Sequence, residues 1–481
     1  MASIDEIRSA RLQKLNLLIE KGVNPYPATS KRTESNLEVV ENFEEGKVVT
    51  LAGRTMAMRE QGKIIFLDIY DGTAKIQALL KSGEPLPEEQ FELFQKAYDI
   101  GDFIEVKGSL IKTKNGEKTI LAEDVRMLSK SLLPLPEKWH GLQDVEERFR
   151  KRYLDILSNP EVKDLFIKRA KFWDVTREFM KKEGFLEVET PTLEITTGGA
   201  EARPFKTHHH DFDLDVYLRI SVGELWQKRL MAAGFDKVFE IGRVYRNEGS
   251  SPEHLQEFTN MEFYWGYADF KMGMELVKKL YRTIGEEVFG ATKFTTRGHT
   301  FDLADEWQEI DYVEEVKRQT GIDVLSGNED KMKEKLDELG VEYQGQTRER
   351  LIDSLWKHCR KNISGPAFLV NHPKLIAPLA KSNLGGETVQ RFQPLLAGSE
   401  LGNGYSELND PLDQRERFEV QKALIERGDE EAMMPDDEFV EMLEHGMPPT
   451  CGFGFGERLF AFLVDKPLRE TQLFPLMRPK Q

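Results

Sequence analysis

Charged and aromatic residues suited to ligand binding are concentrated in the segment from 238 to 267. Residues 238–246 predict a strand, 247–256 a connection rich in turn formers, and 257–267 a returning strand. Strand side chains alternate between two faces. On the return strand, one face therefore carries Phe258, Glu262 and Tyr264. The opposite face carries the core residues Met261, Phe263 and Trp265.

The outgoing strand adds charged groups to the same side of this pair. Arg246 and Glu248 point to the same face of the outgoing strand if the strand continues that far. The two strands together predict one cavity that contains an arginine, carboxylates, a tyrosine and a phenyl ring. A structural ion-pair network is the alternative interpretation of the same pattern.

A second stretch whose residues could bind a ligand runs from 451 to 458. Glycine at every second position (Gly452, Gly454 and Gly456) clears one face of a strand, so that a flat ligand can approach the backbone. Arg458 then falls in the first turn of a helix, where backbone donors favour an anion. The spacing differs from the dinucleotide-binding fingerprint. Close packing of a helix on a strand would also explain the glycines.

The third stretch, 399–410, places two carboxylates around a flexible Gly402-Asn403-Gly404. In a regular strand Glu400 and Glu407 would point to opposite faces. A β-bulge at the glycines would turn both side chains toward the same cavity. The carboxylates of this stretch could bind either Mg²⁺ or an ammonium group. A surface loop without a ligand is the alternative.

The elements that must position these residues suggest an α+β protein with several parts. Residues 1–45 predict an N-terminal helical arm that either packs on the protein or contacts a nucleic acid. Residues 46–135 predict five strands and one helix (about 88–99), which suits an oligonucleotide-binding (OB-fold) barrel or a generic small β-barrel. A stiff proline-containing break at 133–136 leads into a linker, 136–160. A mixed region, 161–481, follows, with a helical insertion at about 296–365.

Composition limits the classes of protein to consider. The chain has 481 residues, of which 39% are hydrophobic and 31% charged, as in a folded protein of two or three domains. Its net charge of −17 disfavours nonspecific nucleic-acid binding but permits a local basic face. Cys359 and Cys451 form no disulfide or metal pattern, so a reducing cytoplasm is expected. No secretory signal or membrane span is expected from the apolar runs.

Together these stretches resemble the three signature motifs of class II aminoacyl-tRNA synthetases. The helix before Gly184 with the strand to Pro191 resembles the first motif, 239–249 with its return strand the second, and the glycine run to Arg458 the third. Further stretches resemble the bacterial type of lysyl-tRNA synthetase almost from end to end. They are 135–144, 198–205, 402–410 and 473–479.

The resemblance implies a fold, a reaction and partners. The expected fold is an anticodon-reading OB-fold barrel joined to an antiparallel sheet flanked by helices, in a homodimer that forms across Pro191. The implied reaction joins L-lysine to ATP as lysyl-adenylate, with Mg²⁺ as cofactor, and then transfers the lysyl group to the 3′ end of tRNA(Lys). The implied location is cytoplasmic, with no membrane contact.

The resemblance also implies site residues. Arg246 and Arg458 are the expected catalytic arginines, which bridge the α-phosphate and hold the γ-phosphate. The implied ATP set is Arg246, Glu248, His254, Phe258, Glu400 and Arg458. The implied lysine set is Gly198, Glu224, Arg246, Glu262, Tyr264, Asn403 and Glu407. Glu400 is the implied metal ligand. In the barrel, Phe66 is implied to stack on an anticodon base and Gln77 to read a base edge, with a core phenylalanine as the alternative for Phe66.

Three departures from the family pattern affect these expectations. Gln393 stands where the family commonly has a glutamate, and a neutral amide is a poorer Mg²⁺ ligand, so one metal site is in question. The approach to Glu224 through Ser221 is one residue longer than usual, and Ser399 replaces a common arginine. The alternative functions are a paralogue that does not charge tRNA, an enzyme that lysylates a protein, and a synthetase for another amino acid.

Overall fold

The computed structural model describes residues 3–136, 144–200, 202–249, 251, 254–343, 347–427 and 432–480. It divides into two compact units, Met1–Gln143 and Asp144–Gln481. Parts of the predicted stretches lie outside the described residues: 1, 2, 137–143, 201, 250, 252, 253 and 344–346. No helix of the described residues is long and apolar enough to cross a membrane.

The first unit is a closed five-stranded barrel with the order β1-β2-β3-β5-β4. Its strands are β1 (Val48–Gln61), β2 (Ile64–Tyr70), β3 (Lys75–Lys81), β4 (Phe103–Lys112) and β5 (Lys118–Ser129), and its helices are α1 (Ile4–Glu20), α2 (Asn36–Glu41) and α3 (Glu88–Ala97). Along β2, Ile65, Leu67 and Ile69 alternate into the fully buried core. The predicted OB-fold barrel is therefore confirmed.

The N-terminal helix α1 packs on this barrel. Leu18 belongs to the barrel core, and the buried Arg11 donates hydrogen bonds to the carbonyl oxygens of Ser131 (3.1 Å), Leu133 (2.9 Å) and Ile100 (2.9 Å). These contacts favour the packing arm over the alternative for this segment.

The second unit is built on a nine-stranded sheet with the order β14-β15-β16-β18-β19-β11-β10-β6, in which β17 pairs with β16. The sheet strands are β6 (Leu186–Glu187), β10 (Lys237–Tyr245), β11 (Glu257–Gly266), β14 (Gln308–Asp311), β15 (Ala367–Pro373), β16 (Thr388–Leu396), β17 (Ser399–Glu400), β18 (Asn403–Ser406) and β19 (Thr450–Gly456). The pairing is antiparallel except at the two ends, where β14 with β15 and β6 with β10 are parallel. The expected antiparallel sheet is thus present.

Helices and small strands surround this sheet. The helices are α4 (Val145–Arg150), α5 (Arg152–Ser158), α6 (Pro160–Lys182), α7 (Glu224–Ala232), α8 (Phe270–Ile284), α9 (Tyr312–Thr320), α10 (Glu329–Glu338), α11 (Arg348–Cys359), α12 (Pro411–Glu426), α13 (Asp437–His445) and α14 (Arg458–Leu463). The small strands are β7 (Leu193–Glu194), β8 (Lys206–His209), β9 (Leu214–Leu218), β12 (Lys293–Thr296) and β13 (His299–Asp302).

The two faces of the sheet bury different sets of side chains. Phe263 on β11 packs with Phe172 of α6 and Leu280 of α8 in the largest core. Its neighbour Tyr264 points to the other face, where it packs with residues of α7 and α13 such as Phe439. The alternation predicted for the return strand is therefore confirmed, and it separates the core from the ligand-binding face.

Two sequence expectations about local structure were wrong. The helical module begins at Tyr312 rather than near 296, because 293–302 forms a hairpin whose two turn residues, Arg297 and Gly298, have positive φ. The part of the predicted linker that begins at 145 is helical. It is anchored by buried Arg152, which bonds Asp155 at 2.7 Å and the Gln472 carbonyl at 3.1 Å.

Candidate active site

A cavity of about 500 Å³ lies on the ligand-binding face of the sheet in the second unit. It brings together twelve of the residues singled out in the sequence. They are Glu224, Arg246, Glu248, His254, Phe258, Glu262, Tyr264, Gln393, Glu400, Asn403, Glu407 and Arg458. Gly198 is not among the lining residues, whereas the adjacent Gly199 is. Gly198 instead accepts a hydrogen bond from Ser221 Oγ at 2.8 Å through its carbonyl.

The alternating glycines of β19 make room for the acidic side chains of this cavity. A Cβ at Gly452 would lie 2.1 Å from Glu407 Oε1, and one at Gly454 would lie 2.7 Å from Glu262 Cγ. Real Cβ atoms do not approach other atoms so closely, so any larger residue would displace a carboxylate. The face that the glycines clear is therefore filled by the side chains of the pocket itself.

Glu262 lies at the inner end of the cavity in a well-defined set of hydrogen bonds. It accepts from the Val222 backbone N–H (2.8 Å), from Asn260 Nδ2 (3.2 Å) and from the Tyr264 hydroxyl (3.2 Å). Burial and the negative charge of Glu224 raise the pKa of Glu262 to about 7. This carboxyl group therefore titrates near neutral pH.

Lys228, which the sequence did not single out, contacts two cavity carboxylates without lining the cavity itself. Its side chain is 1% exposed, and Nζ lies 2.7 Å from Glu224 Oε1 and 2.5 Å from Glu407 Oε2. The Tyr405 hydroxyl also donates a hydrogen bond to Glu224. The only sequence signal was Glu224 four residues before Lys228, which is common on exposed helix faces.

Glu407 is a buried carboxyl group of the pocket with a strongly perturbed pKa. Burial and the charges of Glu224 and Glu262 raise its pKa well above the ordinary value, and Lys228 opposes that rise. Among the described residues, none donates a hydrogen bond to its carboxylate oxygens apart from the ion pair with Lys228. The remaining lone pairs are available to a ligand.

The outer end of the cavity carries the two candidate catalytic arginines. The strand β10 ends at Tyr245, so Arg246 follows it rather than extends it, although its N–H still donates to Gln256 O at 2.8 Å. The Arg246 guanidinium lies 5.2 Å from the centre of the Phe258 ring, and that of Arg458 lies 5.4 Å from the Phe462 ring. Both guanidinium groups therefore rest against aromatic rings beside the cavity.

Glu457 ties the three motif regions together immediately before Arg458. Its buried carboxylate accepts from Arg169 on α6 (2.5 Å), from the Thr259 N–H on β11 (2.8 Å) and from Gln472. This charge-assisted network fixes the start of α14 and with it the position of Arg458.

Glu400 and Glu407 both line the cavity without the predicted bulge. Glu400 lies on β17, and Glu407 directly follows β18. Leu401 and Gly402 connect the two strands and belong to neither. Glu400 is contacted by the Trp356 indole N–H and by the Arg360 guanidinium, both from the helical insertion region. Neither contact was visible from the sequence.

Gln393 lies near this part of the cavity and is paired with a histidine. His372 Nε2–H donates to Gln393 Oε1 at 2.8 Å. Burial and the charge of Arg391 lower the pKa of His372 well below its ordinary value, so the ring is neutral. Among the described parts of the chain, no three His, Cys, Asp or Glu residues are grouped to hold a metal ion.

The two candidate anticodon residues lie in the barrel of the first unit. Phe66 is half-buried and lies on the opposite side of β2 from the barrel core, so the structure does not support the core alternative. Gln77 pairs in register with Asp68 across β2 and β3, and its Oε1 accepts from Thr119 Oγ1 at 3.1 Å. Gln77 is buried, with 5% of its surface exposed.

Comparison with known proteins agrees with this geometry. The family described as "tRNA synthetases class II (D, K and N)" matches residues 144–478, and the "OB-fold nucleic acid binding domain" matches residues 49–128. The fold and cavity thus define a class II tRNA synthetase.

Relatives narrow this class further. The chain is 42% identical to the lysine–tRNA ligase of Thermosipho africanus over 99% of this chain and 97% of the relative. It is 43% identical to that of Moorella thermoacetica (99% of each) and 44% identical to that of Clostridium perfringens (99% and 97%). The chain belongs to the lysine–tRNA ligase family.

Proposed function

We propose that the chain activates L-lysine with ATP to lysyl-adenylate and pyrophosphate, and then transfers the lysyl group to the 3′ end of tRNA(Lys). The observation that carries this proposal is the convergence of Glu262, Glu407, Arg246 and Arg458 on one cavity. Acidic groups occupy its inner end and guanidinium groups its outer end, which suits a diamine-bearing substrate and a triphosphate.

The inner end is the proposed site for lysine. A buried ammonium group is costly unless it is paired and hydrogen-bonded. Glu407 has lone pairs available for the ε-ammonium, and Glu224 lies where the α-amino group can be bound beside Gly199. Glu262, Tyr264 and Asn403 complete the polar lining, and Gly198 supports this wall through its bond from Ser221.

The outer end is the proposed site for ATP. Displacement at the α-phosphate depends on positioning and charge stabilisation more than on a base. Arg246, whose charge interacts with those of Glu248 and Glu262, is proposed to bridge the lysine carboxylate and the α-phosphate. Phe258 offers a ring face for adenine, and Arg458 offers a cation for the γ-phosphate. Glu248 and His254 line the same end.

The residues present fit Mg²⁺ only as a partner of ATP. Mg²⁺ is usually held by one or two carboxylates together with substrate phosphates, and it neutralises phosphate charge. Glu400 offers one carboxylate, which already contacts Arg360. Gln393 offers a neutral amide oxygen that is bonded to His372. This donor set fits one ion that arrives with ATP and does not fit a second metal at Gln393.

Recognition of tRNA is proposed for the outer face of the barrel. Phe66 provides a partly exposed ring for stacking on an anticodon base, and Gln77 provides an amide oriented by Thr119. The barrel also disfavours the protein-lysylating alternative, whose relatives usually lack it. The proposed compartment is the cytoplasm, which suits two buried free cysteines, Cys359 and Cys451.

A homodimer across the first motif is also proposed. Exposed apolar side chains flank Pro191, including Leu186 (52% exposed), Leu193 (49%) and Ile195 (65%). A cluster of exposed apolar groups is typical of a subunit interface. Light scattering on Ile195→Glu should show monomer, whereas the matched control Leu384→Glu, at a fully exposed leucine, should leave the dimer intact. Monomeric wild-type protein would contradict this part of the proposal.

ATP–pyrophosphate exchange tests the proposed reaction. Lysine should support exchange, and the other amino acids, run in turn, should support little. No exchange with any amino acid would favour a paralogue that does not charge tRNA. Exchange with a different amino acid would identify another specificity. Transfer of labelled lysine to tRNA(Lys) then tests the second step.

A further inference from the structure

Lys228 pairs with two carboxylates of the proposed lysine pocket without lining the cavity itself, although a cation so close opposes the binding of a cationic substrate. Its ammonium group is 2.7 Å from Glu224 and 2.5 Å from Glu407, the two carboxylates proposed to hold the substrate amines. It also lies 5.4 Å from the Tyr405 ring centre and 5.8 Å from that of Phe439. The enclosure by two carboxylates and aromatic rings keeps this ammonium charged in a buried site.

The charges of the inner end form a simple balance when Lys228 is included. Glu224, Glu262 and Glu407 bring three negative charges when ionised, and Lys228 cancels one of them. The two that remain match the two ammonium groups of lysine. Without Lys228 the occupied pocket would keep an uncompensated negative charge, which a buried site avoids by taking up a proton.

We propose that Lys228 is a positioning residue that holds the Glu224 and Glu407 carboxylates in place, keeps Glu407 ionised, and matches the pocket's charge to a substrate with two ammonium groups. This inference rests on the proposed function and deepens it. It assigns a residue outside the substrate-contacting set as a determinant of lysine specificity. Lys228 acts through the two carboxylates and touches none of the reacting atoms.

The other charged and titratable groups around Glu407 do not replace Lys228. Glu262 and Tyr264 face it from β11, and Tyr405 faces it from β18. Arg391 on β16 is turned to Asn403 Oδ1 (2.7 Å) and the Ile376 carbonyl (2.9 Å). Nearby Glu240 is already paired with Arg219 at 2.6 Å. Asp269 and Cys451 add no positive charge.

The variant Lys228→Met tests the proposal by the pH dependence of lysine binding. Loss of the cation should favour the protonated form of Glu407, because Lys228 opposes the rise that burial causes in its pKa. At pH 7.5 the lysine KM in exchange should rise at least about tenfold, with kcat and the ATP KM changed far less. From pH 8 to 9, the ratio of variant to wild-type KM should fall severalfold as Glu407 ionises.

Two further variants separate charge from packing. Lys130→Met removes another fully buried lysine between two carboxylates, Asp99 and Asp102, in the barrel unit. This matched control should leave the lysine KM and its pH profile as in the wild type. Lys228→Arg keeps the positive charge and should restore the wild-type pH profile. A Lys228→Met enzyme with a lysine KM within twofold of wild type at every pH would overturn the proposal.

A measurement on the wild type decides the question even if Lys228→Met does not fold. Calorimetry of lysine binding in two buffers of different ionisation enthalpy counts the protons released. If Lys228 keeps Glu407 ionised in the empty pocket, the released protons should come from Glu262, whose pKa of about 7 corresponds to about a quarter of a proton at pH 7.5. Release of one proton or more would overturn the proposal, because Glu407 would then be neutral in the empty pocket. Absence of lysine binding altogether would instead overturn the proposed function.

Discussion

The affinity for lysine should depend on pH because Glu262 titrates within the working range. Burial and Glu224 raise the pKa of this carboxyl to about 7. At pH 6 about one tenth of the molecules carry ionised Glu262, and at pH 8 about nine tenths do. If lysine binds the ionised form, its apparent affinity scales with that fraction. The lysine KM should therefore fall about tenfold from pH 6 to pH 8.

The same shift has a consequence for stability with a definite sign. A carboxyl whose folded pKa is raised stabilises the empty protein below its ordinary pKa, and that contribution is lost as pH rises to about 7. Ionising Glu262 in the empty pocket costs about 3 kcal/mol by this shift. Bound lysine compensates the charge, so the increase in Tm produced by lysine should be larger at pH 8 than at pH 6.

Exchange kinetics at fixed saturating ATP provide the assay. The ATP KM serves as the internal control and should change little over the same range. Glu262→Gln should abolish the pH dependence while raising the lysine KM at pH 8. A lysine KM that is flat between pH 6 and pH 8, or one that falls toward acid pH, would refute the reasoning.

Three further predictions follow from the cavity and the barrel. Glu407→Gln should raise the lysine KM about 10- to 150-fold with ATP binding retained, as expected for loss of a charged hydrogen bond; a near-normal lysine KM would remove Glu407 from the pocket. Gly452→Ala should mimic this defect, because its Cβ would lie 2.1 Å from Glu407 Oε1, and a normal lysine KM would contradict it. Phe66→Ala should raise the tRNA KM about 5- to 150-fold, for loss of about 1 to 3 kcal/mol of stacking, and leave exchange unchanged; equal effects on both steps would argue against anticodon stacking.

Local sequence periodicity predicted the parts of the site that depend on strand geometry. Alternation on the return strand separated Glu262 and Tyr264 from the core residue Phe263, and the structure keeps that separation. The glycine run of β19 clears one face of the strand as predicted, but pocket side chains rather than a flat ligand fill the space over Gly452 and Gly454. Both features follow from a two-residue repeat, which the sequence displays directly.

The features that the sequence did not reveal depend on distant packing. Lys228 follows Glu224 by four residues, a spacing typical of solvated helix pairs, and only Phe439 and Tyr405 from later elements make it buried. Arg360 meets Glu400 only because the helical insertion folds against the sheet. Side chains brought together by tertiary contacts leave no local repeat to detect.

Some local structure was missed because its signal was atypical. The hairpin at 293–302 turns at Arg297 and Gly298 rather than at the usual Asn-Gly, so its sequence lacks the common hairpin signal. Arg246 lies in the cavity although its strand ends one residue earlier. The alternation of side chains therefore predicts which face a residue occupies within a strand, but not for residues beyond the strand's end.

A crystal structure with lysine and a non-hydrolysable ATP analogue tests the central claim most directly. The ε-amine should lie within hydrogen-bonding distance, about 3 Å, of the Glu407 carboxylate, with the Arg246 guanidinium between the lysine carboxylate and the α-phosphate. Arg458 should contact the γ-phosphate. Lysine bound with its side chain directed toward Glu400, or the two ligands in separate cavities, would contradict the account.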